Sequence, residues 1–141
     1  MSEPPISEQD FQQLARVRQA LREFVRGSEL AARAAGLTPR QHEALLAVRG
    51  TVSGRPATVG HVAAALQIRH HSAVGLLDRL EEKGYVARRA GTVDRRQVLL
   101  EVTERGTAVL DRLTEAHRQE LRRVGPQLVA ALSELVVQDE A

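Results

Sequence analysis

The chain has 141 residues, of which 43% are hydrophobic and only 2% aromatic, with a formal net charge of +2 and no cysteine. That length suits one domain whose core is built from Leu, Val and Ala, an inventory better fitted to packed helices than to an aromatic-rich β-sandwich. The missing cysteines exclude disulfides, thiol redox chemistry, iron–sulfur clusters and thiolate zinc sites, while the lack of any apolar run of about 18 residues and of a leader-like N-terminus predicts a cytoplasmic protein without membrane contact.

In chain order, Met1 to Glu8 reads as a loose proline-containing arm. From Asp10, the stripe Phe11, Leu14, Val17, Leu21, Phe24 and Val25 predicts a long first helix to about Ala35, ended by Gly36. Thr38-Pro39 is an N-cap followed by proline at the first helical position, and Ala44, Leu45 and Val48 give this second helix its apolar face. Thr51 to Pro56 is turn-rich, and Arg55 to Thr58 is expected to pair as a short third strand. Thr58 caps a third helix, in which Val59, Val62, Ala63 and Leu66 recur at i, i+3, i+4 and i+7. Ala73, Leu76, Leu77 and Leu80 repeat that spacing in a fourth helix over about 70–83. The opposite face of the fourth helix carries His71, Val74, Gly75 and Asp78, too polar to pack inward, so it should look outward.

Gly84 ends the fourth helix as a left-handed cap. Tyr85 to Arg89 and Val98 to Val102 are rich in β-branched and aliphatic residues and predict a hairpin closed over Ala90 to Gln97. Thr103 caps a fifth helix bearing Leu110, Leu113, His117, Leu121 and Val124. Gly125-Pro126 is expected to break it, leaving a sixth helix with Val129, Leu132, Leu135 and Val136 apolar. The fold class is therefore mainly α with a winged-helix character: about six helices and one β-hairpin. Residues 1–141 form a single domain in this reading, with 37–102 as the winged helix-turn-helix and 10–36 and 103–138 as dimerisation helices. The terminal stripes are too long for one winged helix to cover, and a symmetric dimer buries them best.

Charge follows the same division. Residues 37–100 hold ten basic side chains against five acids, whereas 1–36 hold five of each and 101–141 hold five basic against eight acidic. Positive charge thus concentrates in a helix-turn-helix followed by a hairpin whose tip is Asp94-Arg95-Arg96, an architecture that offers one helix and one loop to double-stranded DNA.

The run Leu76-Leu77-Asp78-Arg79-Leu80-Glu81-Glu82-Lys83-Gly84-Tyr85-Val86, the wing Asp94-Arg95-Arg96 and the closing Val102-Thr103-Glu104-Arg105-Gly106 resemble the multiple antibiotic resistance regulator (MarR) family of bacterial transcription factors, over about residues 10 to 138. The resemblance implies a homodimer that binds a pseudo-palindromic operator, commonly as a repressor released by a small-molecule effector. It implies no cofactor. The recognition helix of about 70–83 would lie in the major groove and the wing, 90–97, in the minor groove, with Arg95 or Arg96 entering it. Asp94 is expected to fix an arginine, since a carboxylate repels phosphate. Arg79 and Asp78 fit either the DNA surface or an ion pair from helix to wing.

The departures from the family pattern stand at the start of the recognition helix, where Arg69 replaces the usual Ser or Thr cap and Val74-Gly75 replaces a Thr-Arg or Ser-Arg pair. Arg69 is expected at a phosphate, His70, His71, Ser72 and Val74 at base edges, and Gly75 where the backbone approaches. Arg79, Arg88, Arg95 and Arg96 complete the expected DNA surface. His42 is the candidate at an effector cleft.

Two other readings compete with this one. His61, His70 and His71 fall close in sequence, but adjacent histidines diverge by about 100° on a helix and metal pairs sit at i and i+4, so a His-based metal-responsive regulator is the poorer reading. A winged-helix protein–protein interaction module is the other, and the retained arginines Arg88, Arg89, Arg95 and Arg96 argue against it. No Gly-rich phosphate loop, nucleophile elbow or triad context points to an enzyme.

Overall fold

The computed structural model describes residues 2–52 and 55–136. Its elements are α1 (Glu8–Ala34), α2 (Pro39–Arg49), α3 (Val59–Leu66), α4 (His70–Glu82), β1 (Val86–Ala90), β2 (Val98–Val102) and α5 (Glu104–Val136). Ser53 and Gly54 of the expected linker, and Val137 and Gln138 of the expected last helix, lie outside the described residues. The chain divides into two compact units, Met1–Ala31 with Glu115–Ala141, and Ala32–Thr114.

The central unit, 32–114, is the winged helix. Its core is apolar and tightly closed: Ala44, Leu45, Val62, Ala73, Leu77 and Leu80 are all inaccessible, and Val86, Leu99, Leu100, Val109, Leu110 and Leu113 join them. Two of its three internal helices start at threonine caps. Thr38 accepts from the Gln41 amide at 3.1 Å while the Gln41 side chain accepts from the Thr38 amide at 3.1 Å, a reciprocal capping box that fixes the entry of α2. Thr58 accepts from the His61 amide at 3.1 Å and starts α3. The end of α4 is a Schellman turn: the Tyr85 amide reaches the Leu80 carbonyl and the Gly84 amide the Glu81 carbonyl, both at 2.9 Å. Gly84 sits at φ 79°, a backbone region that other L-residues enter only with strain.

Strands β1 and β2 pair antiparallel, Val86 opposite Val102 and Ala90 opposite Val98. The expected third strand reduces to a single bridge, Ala57 against Leu100, with the Leu100 amide donating to the Ala57 carbonyl at 2.9 Å. Thr103 then locks the hairpin to the following helix. Its hydroxyl donates to the Gly84 carbonyl at 2.6 Å and accepts from the Gly106 amide at 3.1 Å. Gly106 is required here, because a Cβ on it would collide with the Tyr85 carbonyl oxygen.

In the other unit, the described parts of α1 and α5 pack on each other through Val17, Ala20, Val124 and Ala131. Ser28 and the His117 ring nitrogen Nε2 lie 2.5 Å apart, and Phe24 meets the same ring edge-on with centroids 6.1 Å apart. His117 thus sits inside the helix pair, while Phe11, Leu14, Leu21, Val25, Leu121, Val129 and Leu132 remain exposed.

The helix count also departs from the sequence reading. Five helices are present among the described residues rather than about six, since α5 runs unbroken through Gly125-Pro126. Proline inside a helix removes one amide and normally costs about 3 kcal/mol. Here Pro126 and Arg122, whose carbonyl loses its donor, are both on the exposed side of the helix, so water can satisfy the freed oxygen. The flanking turns keep their apolar stripe and the helix continues.

Candidate nucleic-acid interface

The surface expected to meet a duplex is built from the outward face of α4 and the hairpin tip, both in the winged-helix unit. Packing Ala73, Leu77 and Leu80 inward places Arg69, His70, His71, Ser72, Asp78 and Arg79 in solvent and leaves Val74 and Gly75 half-buried. Arg69 occupies the N-cap with extended backbone at φ −71° and ψ 153°, and its side chain makes no cap hydrogen bond. An acceptor at that position is worth about 1 kcal/mol, so the first turn of α4 begins without the stabilisation that Thr38 and Thr58 give α2 and α3. Arg79 enters no ion pair among the described residues.

At the wing, the Gly91 amide bonds the Gln97 carbonyl at 2.8 Å and the Gln97 amide the Asp94 carbonyl at 3.1 Å, closing the loop. The Asp94 carboxylate accepts from the Arg96 amide at 3.0 Å and lies 3.6 Å from the Arg96 guanidinium. Arg95 and Arg96 are exposed. Arg89 pairs across the strands with Glu101 at 3.0 Å, because residues 87 and 89 share a face with 99 and 101 in this register.

Arg88 stands elsewhere than the sequence reading put it. Strand alternation turns it with the buried Val86 to the opposite face, where its two terminal nitrogens are held by α4: Nη2 lies 2.8 Å from Asp78 and Nη1 3.3 Å from Glu81. An ion pair between helix and wing strand is present, made by Arg88 rather than Arg79. The signal was in the sequence, since Asp78 and Glu81 are spaced i, i+3 on one flank of a helix and Arg88 is two residues from the core position Val86.

Three further expectations concern histidines. His61 lies on α3 beside a groove of about 550 Å³ lined by Arg40, Glu43, Leu46, Ala47 and Leu66 among others, whereas His70 and His71 open α4. No group of three or more His, Asp or Glu side chains is placed to hold a metal ion among the described residues. His42 is 5% exposed on the packed face of α2 with Ala44, Leu45 and Val48. It is a buried residue of the winged-helix unit. One local feature escaped sequence reasoning altogether. Gln67, in the turn between α3 and α4, adopts the left-handed conformation at φ 55° and ψ 46°, a place where glycine or asparagine would have announced the turn.

Known proteins carry the same pattern. The family model described as "MarR family" matches residues 35–97. The HTH-type transcriptional regulator PecS of Dickeya dadantii (strain 3937) is 28% identical over 88 residues, covering 62% of this chain and 53% of PecS, so the chain spans about half the length of that relative. Among solved structures, CouR from Rhodococcus jostii RHA1 bound to p-coumaroyl-CoA superposes with a TM-score of 0.64 at 25% identity, over 79% of this chain and 82% of CouR. A mutant MarR from E. coli complexed with operator DNA gives a TM-score of 0.64 at 21% identity, over 89% of this chain and 91% of that one. No described helix is long and apolar enough to cross a membrane.

Proposed function

We propose that this chain, whose residues 35–97 match the MarR family model, is a transcriptional regulator of that family, a repressor that binds a pseudo-palindromic operator as a homodimer. The observation that carries the reading is the pairing, in one unit, of an outward α4 face free of core packing with an arginine-tipped wing held in shape by Asp94. In this reading α4 enters the major groove. Arg69 meets a phosphate at the helix start, His70, His71, Ser72 and Val74 meet base edges, and Gly75 admits close approach of the backbone. Arg95 or Arg96 enters the minor groove, where a narrow A·T-rich stretch attracts guanidinium. Arg79 contributes to the backbone grip. The relative solved with operator DNA supports the DNA partner.

The homodimer is supported by the other unit. Phe11 is 60% exposed, Val129 64% and Leu14 51%, and at about 25 cal/mol per Å² such apolar faces gain substantially from a second copy. Two recognition helices fixed about one turn of B-DNA apart then read an inverted repeat. A small-molecule effector that relieves repression is supported by the solution of CouR bound to p-coumaroyl-CoA.

The test is selection of bound sequences from a random duplex pool, followed by a salt titration of the winning duplex. An inverted repeat with half-sites about 10 bp apart is expected, with affinity falling steeply between about 50 and 200 mM salt. Flat salt dependence, or no enrichment, would reject the DNA reading in favour of a protein–protein interaction module.

A further inference from the structure

We propose that Arg88 is a positioning residue for DNA recognition: it fixes α4 to the wing strand and neutralises Asp78 on the DNA-facing side of the helix, without touching DNA itself. The inference rests on the DNA-binding reading above and gives that surface its working geometry.

The outward stripe of α4 runs through His71, Val74, Gly75 and Asp78, spaced i, i+3, i+4 and i+7. Asp78 is therefore a carboxylate on the very face offered to a polyanion, and its side chain is 53% exposed. Glu81, 45% exposed, continues the same flank. Left alone, two negative charges would stand there and oppose every phosphate within a Debye length of about 8–10 Å. Arg88 answers both at once. Its guanidinium holds Asp78 through Nη2 at 2.8 Å and Glu81 through Nη1 at 3.3 Å, and its side chain is 26% exposed, the least of the three. A planar fork with each terminal nitrogen committed to a different carboxylate suits arginine and not lysine. Three of its five N–H groups remain, but the charge of Arg88 is already shared between two carboxylates that tether it to α4.

The geometry also ties together the two parts that must read DNA in register. Arg88 is anchored in β1 opposite Leu100, and its carboxylate partners lie one turn apart on α4. The link therefore resists both sliding and rotation of the recognition helix against the wing. Sequence-specific binding needs helix and wing placed together, whereas non-specific binding, which is mainly charge, tolerates looser placement.

A double-mutant cycle tests this, using the duplex that the wild-type protein selects from a random pool and a random duplex as probes. Arg88→Gln is expected to weaken binding to the selected duplex by about 5- to 10-fold, from the loss of two partly exposed ion pairs and the unmasking of Asp78. It should lower the ratio of selected over random binding and leave the salt slope no shallower. In an Asp78→Asn/Glu81→Gln background the same change should cost less than about twofold, because Arg88 then has nothing to act through. Arg88→Lys keeps the charge but not the fork, and is expected to lose selectivity with an unchanged salt slope; it carries the test if the Gln variant does not fold by thermal melting. An equal cost of Arg88→Gln in both backgrounds, with the salt slope reduced by about one per subunit, would make Arg88 a direct phosphate contact and overturn the proposal. So would an Arg88→Gln protein that selects and binds as the wild type does. Should the wild type bind neither duplex in a salt-dependent way, the DNA-binding reading itself falls, a result separable from all of these.

Discussion

Replacing Gln67 by glycine should stabilise this protein, although it removes a side chain and adds backbone freedom. Helix α3 ends in a Schellman turn, with the Ile68 amide on the Ala63 carbonyl at 3.0 Å and the Gln67 amide on the Ala64 carbonyl at 3.2 Å. The motif demands a left-handed residue, and Gln67 supplies it at φ 55°. An L-residue there costs roughly 1–2 kcal/mol. Glycine escapes that strain but gives back about 0.4–1 kcal/mol through the greater entropy of its unfolded chain. The side chain of Gln67 is exposed and makes no hydrogen bond among the described residues, so its loss matters little. The net gain should be about 0.5–1 kcal/mol, a rise of roughly 2–4 °C in Tm for a protein of this size. Urea denaturation of wild type, Gln67→Gly and Gln67→Ala, with m unchanged, reads it directly. Alanine keeps the strain and should lie within about 0.5 kcal/mol of wild type. A glycine variant no more stable than wild type, or an alanine variant stabilised equally, would refute the argument from backbone strain.

Two further changes probe how the helices are made. Pro126→Ala should raise stability by up to about 3 kcal/mol, because proline lies inside the continuous α5 and forfeits a helical hydrogen bond; were Pro126 the first residue of a separate helix, the same change would be neutral or destabilising, and urea titration tells the two apart. Thr38→Ala should cost about 1 kcal/mol by removing half of the capping box with Gln41, and a cost below about 0.3 kcal/mol in the same measurement would mean that α2 is held by packing alone.

What the sequence disclosed depended on whether a physical rule acted locally. Thr38-Pro39, Thr58, Gly84 and Thr103 are caps or stops whose chemistry is complete within a few residues, and each does its expected work in the structure. The 3.6-residue stripes of α3 and α4 told which faces go inward for the same reason. Pro126 misled because its local signal, a helix break, lost to an apolar stripe continuing on both sides. Arg88 misled differently: counted as one of a cationic group, it was assigned by charge, when strand alternation from Val86 already aimed it at α4 and not at solvent. Gln67 was illegible, since nothing in Leu66-Gln67-Ile68 names a left-handed residue and only the closing of α3 against α4 imposes it. The burial of His42 was not legible either: it follows from its place beside Ala44, Leu45 and Val48 on the packed side of α2.

These exceptions are not scattered. Gln67 strained at the end of α3 and Arg69 uncapped at the start of α4 stand two residues apart, in the turn that sets the angle of the recognition helix. Elsewhere in the same unit the chain follows the rules closely, with threonine caps on α2 and α3 and glycine where φ is positive at Gly36 and Gly84. Consistency between local preference and fold is what makes a sequence specify one structure, and departures from it gather where something other than stability is served. An N-cap threonine at position 69 would accept from an early amide of α4 with its own hydroxyl, as Thr38 and Thr58 do for α2 and α3. Arginine supplies no side-chain acceptor there, so the Ser72 amide turns back on the Arg69 carbonyl at 3.1 Å, and it adds a cation of its own. The two local costs, about 1 kcal/mol for the missing cap and a similar amount for the left-handed Gln67, fall on the segment that the proposed function asks to meet DNA, and the fold around it is closed tightly enough to hold both.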